Sequence, residues 1–176
     1  MIAGLLFFTT VMVVVSNANE SGNAATEVRH VKTSEILSEP DAIPRTGLLT
    51  TGQPDAAVLD VVAEAGFGAV IDFRGVDEDR GFDEQAEVES RGLRYVSIPV
   101  SGSDDISFDN AAILDQVLSE VDGPVLLHCK SGNRAAAVLA LREKQNGADS
   151  EAALALGLNA GLTRHRDVVE ERLAEE

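Results

Sequence analysis

The sequence predicts an α/β fold: a mostly parallel central sheet of four to five strands flanked by helices. Short apolar runs alternate with stretches of helical periodicity, and no internal repeat or low-complexity tract interrupts the alternation. One run, Val125, Leu126 and Leu127, is apolar without a break, as a strand covered on both faces must be. With 176 residues the chain has room for one domain and one sizeable core.

Ile2 to Val15 is almost wholly apolar and uncharged, and Ser16, Asn17 and Ala18 offer small residues where a signal peptidase would cut. Its 14 positions fall short of the about 20 that a membrane span needs. Residues 1–18 are therefore expected to be an export signal that leaves no stable membrane span once cleaved, placing the mature protein in the periplasm or outside the cell. Residues 19–46 are polar and patternless, with Ser21, Gly22 and Asn23 followed by Pro40 and Pro44. They are expected to be a flexible lead-in to a folded domain spanning 47–176.

Within that domain Leu48 to Thr51 reads as a strand closed by Gly52. Pro54 suits the first turn of a helix to about Ala65, with Val58, Leu59 and Val62 on one face and Gly66 and Gly68 as its stop. Ala69 to Phe73 is a second strand, Phe82 to Arg91 a helix ended by Gly92, and Tyr95 to Val100 a third strand. After a polar loop, Ser101 to Ser107, a helix from about Asp109 to Glu120 sets Ile113, Leu114, Val117 and Leu118 on one side. Pro124 to His128 is the most buried strand. Helices follow over Arg134 to Gln145, Ser150 to Leu158 and Thr163 to Ala174.

The formal net charge is −16, from 30 acidic and 14 basic residues, of which only three are lysines. That balance argues against nucleic acid as a partner, because phosphate binding needs a basic face. It fits a solvated acidic surface, into which Glu78, Asp79, Asp83, Glu84 and Glu87 fall as an exposed helix face. Cys129 is the one cysteine, so no intramolecular disulfide forms; no cluster of Cys and His has zinc spacing, and neither metal nor cofactor is expected. His30 and His165 have no partner in the sequence.

The chemistry concentrates in His128, Cys129, Lys130, Ser131, Gly132, Asn133 and Arg134, between the buried strand and an Ala-rich helix. Ligands of parallel sheets bind at this carboxyl edge. Backbone N–H groups of a tight loop at a helix start form a nest for an anion, reinforced by the helix dipole. The same field, with Lys130 and Arg134 near in sequence, favours a reactive thiolate at Cys129. Gly132 lets the backbone bend close to the ligand, and Arg134 can present two parallel N–H donors to a pair of anionic oxygens.

This segment resembles two related loops: the His-Cys signature of protein tyrosine and dual-specificity phosphatases, and the active-site loop of rhodanese sulfurtransferases. Together with Thr51, Gly52, Gln53 and Pro54, the run Val70 to Arg74, and Tyr95 to Val100, it resembles the phosphatase-like domain of beta-lactamase hydrolase-like proteins over about Gly47 to Leu158. The resemblance implies a tyrosine-phosphatase-like fold, a Cys129 nucleophile, His128 orienting the loop, and a general acid after the third strand, where Asp104 and Asp105 lie. Two features depart from the phosphatase pattern: four residues rather than five separate Cys129 from Arg134, and Ala135 stands where a Ser or Thr usually follows the Arg. Four is the rhodanese-like count.

Three functions are consistent with this reading. The first is a cysteine-dependent hydrolase acting on a small anionic substrate or a phosphorylated protein. The second is a sulfurtransferase that carries a persulfide on Cys129. The third is a module that binds an anion without turnover.

Overall fold

The computed structural model describes residues 27–175. The elements, in chain order, are β1 (Val28–His30), α1 (Thr33–Ser38), a 3₁₀ turn (Pro40–Ala42), β2 (Leu48–Thr51), α2 (Ala56–Glu64), β3 (Ala69–Asp72), α3 (Glu84–Ser90), β4 (Arg94–Ser97), a second 3₁₀ turn (Ser103–Asp105), α4 (Phe108–Ser119), β5 (Val125–His128), α5 (Asn133–Gln145), α6 (Ser150–Asn159) and α7 (Arg166–Ala174). The strands form one all-parallel sheet in the order β1-β2-β5-β3-β4. The predicted fold class is thus the observed one.

Strand alternation divides the core into two layers. Leu48, Ile71, Val125 and Leu127 face one cluster with residues of α4 to α7, while Leu49, Val70 and Leu126 face a second with residues of α1, α2 and α3. β5 lies between both neighbours with all four residues buried, so the apolar run reads correctly as a central strand. His128 is in register with Thr51 of β2 and Asp72 of β3, which aligns three strand ends beneath whatever follows β5.

The flexible lead-in is overturned for its described residues, 27–46. Val28–His30 pairs in register with Leu48–Thr50 as the edge strand, and Ile36 and Ile43 are buried in the second core layer. A three-residue strand is too short to show alternation, and α1 buries one residue, so neither leaves a periodic pattern to read. The expected export signal, residues 1–18, lies outside the described residues.

Boundaries shift for local reasons. α2 begins at Ala56, after Pro54, because the Asp55 side chain accepts from the Val58 N–H (2.9 Å) and caps it. The last helix begins at Arg166 rather than Thr163, since the N–H groups of Thr163 and Arg164 are committed to the Asn133 side chain. Among the described residues no helix is long and apolar enough to cross a membrane.

Truncating Ile36, which has no exposed surface, to Ala is expected to destabilise the domain by about 2–4 kcal/mol. Urea denaturation checks this, and a midpoint equal to wild type would return the segment to the status of a lead-in.

Candidate active site

β5 delivers Cys129 to the carboxyl edge of the sheet, and α5 departs four residues later, at Asn133. Gly132 makes the turn in the left-handed region, at φ 81°. A Cβ there would sit 3.1 Å from the Thr51 carbonyl oxygen and 3.2 Å from the His30 ring, so both backbone conformation and space call for glycine. The loop is held from two sides. The Gln53 N–H donates to the Lys130 carbonyl (3.3 Å), and the Asn133 side-chain oxygen accepts from the N–H groups of Thr163 (2.8 Å) and Arg164 (2.7 Å). Asn133, expected to line the anion loop, therefore spends its side chain on the turn before α7. Cys129 is 1% exposed, while Lys130 and Ser131 are exposed beside it.

Arg134 can be described donor by donor. Its Nη1 donates to Glu78 Oε1 and to the Val100 carbonyl (2.7 Å), and its Nη2 donates to Glu78 Oε2 (2.9 Å). Glu78 is itself held by the Gly75 N–H (2.7 Å). Of the five guanidinium N–H donors, three are used on this rear edge. The Nε–H and one Nη2–H remain, side by side on the edge that forms a two-pronged fork for a pair of oxygens. The Arg134 hydrogen bonds hold the Glu78 carboxyl down at about 2, and Glu78 in turn raises Arg134, which stays charged.

Behind the loop lies a buried charge cluster. Arg74 Nε donates to Asp72 Oδ1 (2.8 Å) and its Nη2 to Asp72 Oδ2 (2.9 Å) and to Glu84, all three residues being almost or wholly without exposed surface. Arg80 (3.1 Å) and the Tyr95 hydroxyl (3.0 Å) also donate to Asp72. His128 Nε2 lies 2.7 Å from Glu84 Oε1, near enough for an ion pair yet not aligned for a hydrogen bond. Burial by itself would raise the Asp72 carboxyl, but the Arg74 fork and the nearby His128 outweigh it and hold it below its ordinary value. Burial and the Asp72 charge push the Tyr95 hydroxyl up to about 12. Asp72, Glu84 and His128 are close enough to share a metal ion, but Arg74 already bridges the two carboxylates and supplies the positive charge a cation would bring.

A cavity of about 370 Å³ opens over the loop, lined by Lys130, Ser131, Asn133, Arg134, Arg164 and His165. His165 is kept below its ordinary value first by burial and then by the charges of Arg134 and Arg164, which places it within reach of both. The two carboxylates predicted as acids separate. Asp105 accepts from the N–H groups of Ser101 (2.7 Å) and Gly102 (3.4 Å), so it closes its own loop, whereas Asp104 is exposed on the 3₁₀ turn.

Sequence reasoning placed Glu78 and Glu84 on a solvated acidic face, and the structure turns both inward. Their signal was present but indirect: Glu84 precedes the buried Val88 by one helical turn, and Arg74 follows a buried strand, where a charge needs a partner. Arg164 carried no signal, since only folding brings residue 164 to the loop. His30 also acquires a partner, its Nδ1 lying 3.2 Å from Thr50 Oγ1 beneath Gly132.

Residues 46–158 match the family model described as beta-lactamase hydrolase-like protein, phosphatase-like domain. The beta-lactamase hydrolase-like protein of Agrobacterium fabrum is 34% identical over 104 residues, covering 57% of this chain and 24% of that protein, and one from Xylella fastidiosa is 35% identical over the same length and shares. The match thus takes in about a quarter of the length of these relatives. Among solved structures, a Neisseria meningitidis protein named as a candidate phosphatase superposes with a TM-score of 0.60 at 19% identity, covering 74% of this chain and 94% of that one. TpbA of P. aeruginosa superposes with a TM-score of 0.54 at 23% identity, covering 73% and 80%. At such identities the structural likeness speaks for the fold.

The Glu78–Arg134 pair should be visible in acid. The Glu78 carboxyl sits at about 2 when folded against an ordinary 4.5, so the folded state takes up its proton less readily than the unfolded chain. The pair's contribution is therefore complete above the unfolded value and is lost as pH falls from about 4.5 towards about 2. Glu78→Gln is expected to lower stability modestly at neutral pH, because the carboxylate is partly screened by solvent, with the gap to wild type closing on acidification. Denaturation curves across that range check this, and a gap that does not change with pH would remove the pair as its source.

Proposed function

The chain belongs to the phosphatase-like domain family of beta-lactamase hydrolase-like proteins, and on that premise we propose that it is a cysteine-dependent phosphatase for phosphate monoesters. One observation carries the reading: Arg134, braced from behind by Glu78 and Val100, keeps its Nε/Nη2 fork for two oxygens in the loop that also presents Cys129. In the proposed reaction the Cys129 thiolate attacks phosphorus, the S–P bond forming as the ester O–P bond breaks. Two non-bridging oxygens rest on the Arg134 fork and the third on loop N–H groups, which stabilises the charge where it develops. The leaving oxygen takes a proton from the Asp104 carboxyl group, which its loop leaves exposed. Water then attacks phosphorus and gives a proton to the resulting Asp104 carboxylate, the S–P bond breaks, and phosphate and the thiolate are released.

The four-residue spacing between Cys129 and Arg134 supports a second reading, sulfur transfer through a Cys129 persulfide, because a ring with one amide fewer suits a smaller anion. Assaying phosphate-ester hydrolysis beside thiosulfate-to-cyanide transfer separates the two. The phosphatase reading expects hydrolysis to dominate, to vanish in Cys129→Ser, and to fall by about 100-fold or more in Arg134→Lys, which keeps the charge and loses the fork. Dominant sulfur transfer, lost in the same serine variant, would replace it.

Asp104→Asn is expected to slow hydrolysis of alkyl phosphates by about 100-fold and to leave nitrophenyl phosphate, whose leaving group needs no proton, nearly untouched. The substrate dependence decides the role: equal losses on both would remove the acid function, and the effect appearing in Asp105→Asn instead would reassign it.

A further inference from the structure

The 30 carboxylates absorb nearly every cation of the chain. Of its 14 lysines and arginines, all of them among the described residues, 11 form ion pairs with carboxylates. Among the described residues, the three without such a pair are Lys130, Lys144 and Arg164. Two of these three, Lys130 and Arg164, line the cavity over the loop, while Lys144 stands in the last turn of α5, about 16 Å further along the helix axis. In so acidic a protein, leaving a cation unpaired is the exception, and two of the three exceptions share one hollow.

The hollow is also built. Asn133, itself 7% exposed, binds the backbone N–H groups of Thr163 and Arg164 and so fixes the rim that carries Arg164 against the loop that carries Lys130 and Arg134. Its volume of about 370 Å³ is an order of magnitude more than the ~30 Å³ share of one water, room for more than a single phosphoryl group. Arg134, whose rear edge is neutralised by Glu78, has one fork to give and can hold one anionic group.

We propose that the cavity is a two-anion site and that the substrate is a small bisphosphorylated molecule. This rests on the phosphatase reading for the first group only. One phosphoryl group takes the Arg134 fork above Cys129, and the second lies between Lys130 and Arg164. A compact molecule fits better than an acidic chain, because beyond the cavity the surface returns to the negative field of a −16 protein and repels further anionic length.

Calorimetry on the full-length Cys129→Ser protein, which binds without turnover, tests this with 1,3-propanediol bisphosphate against propyl phosphate. The bisphosphate is expected to bind at least about 10-fold more tightly, and Arg164→Ala is expected to remove most of that preference. Lys144→Ala removes the same charge far from the cavity and should leave the preference in place. Equal binding of the two probes, or an equal loss in Arg164→Ala and Lys144→Ala, would overturn the site and leave only the overall field. Turnover by the wild-type enzyme is scored separately. An Arg164-dependent preference in a protein that hydrolyses neither probe would keep the two-anion site and sink the phosphatase reading, and hydrolysis of both without the preference would do the reverse.

Discussion

Arg74 carries a full charge with no exposed surface, and much of the site follows from that constraint. An unpaired guanidinium in the interior is destabilising by several kcal/mol, so carboxylates must accompany it. Asp72, two residues earlier at the end of β3, takes two of its donors, and α3 must then start with Glu84 turned inward to take another. Glu84 comes within 2.7 Å of His128, the last residue of β5, and so brings the start of α3 beside the strand that feeds the cysteine. The 75–83 connection, stretched between these anchors, carries Glu78 to Arg134. One buried cation thus fixes the path of the segment that orients the other.

The electrostatics of the loop follow from who neutralises whom. Glu78 balances Arg134, so that pair adds direction and little net charge at the anion position. In the proposed site, the attraction for an anion falls instead to the loop N–H groups, the α5 dipole and the two cations at the rim, Lys130 and Arg164. That division would let a protein of net charge −16 accept an anion there: among the described residues the cavity lining holds no carboxylate, and the positive potential it offers is local and short-ranged.

What the sequence made legible is what has a period or a fixed spacing. The apolar run before Cys129 marked the central strand; the alternation of strands and helices marked the parallel sheet; and the cysteine, glycine and arginine spacing marked the loop. What it hid was carried by single long-range contacts. β1 is three residues long and pairs by register with a strand about twenty positions away, and Glu78 meets Arg134 across 56 positions. Composition worked against reading these: in a chain so rich in carboxylates, two that serve as counter-ions look like all the others until the buried Arg74 is found beside Glu84 and Arg134 beside Glu78.

Ala135 shows how the same packing limits the chemistry. It is wholly buried in the first core layer among the residues of α5, so the position after Arg134 faces the core rather than the cavity. A hydroxyl there would need a partner, and the thiolate leaving group of a cysteinyl intermediate is one such partner; an alanine offers none and satisfies the core instead. Ser131 is exposed at the lining of the cavity rather than behind the cysteine, and the Thr51 hydroxyl on β2 lies 3.4 Å from that of Thr33. In the proposed phosphatase reaction, with no hydroxyl at position 135, stabilising the departing thiolate falls to Arg134 and the loop amides. In that reading the same groups also take the oxyanion, so one set of donors serves both charges, and the bracing of Arg134 by Glu78 and Val100 favours that double use.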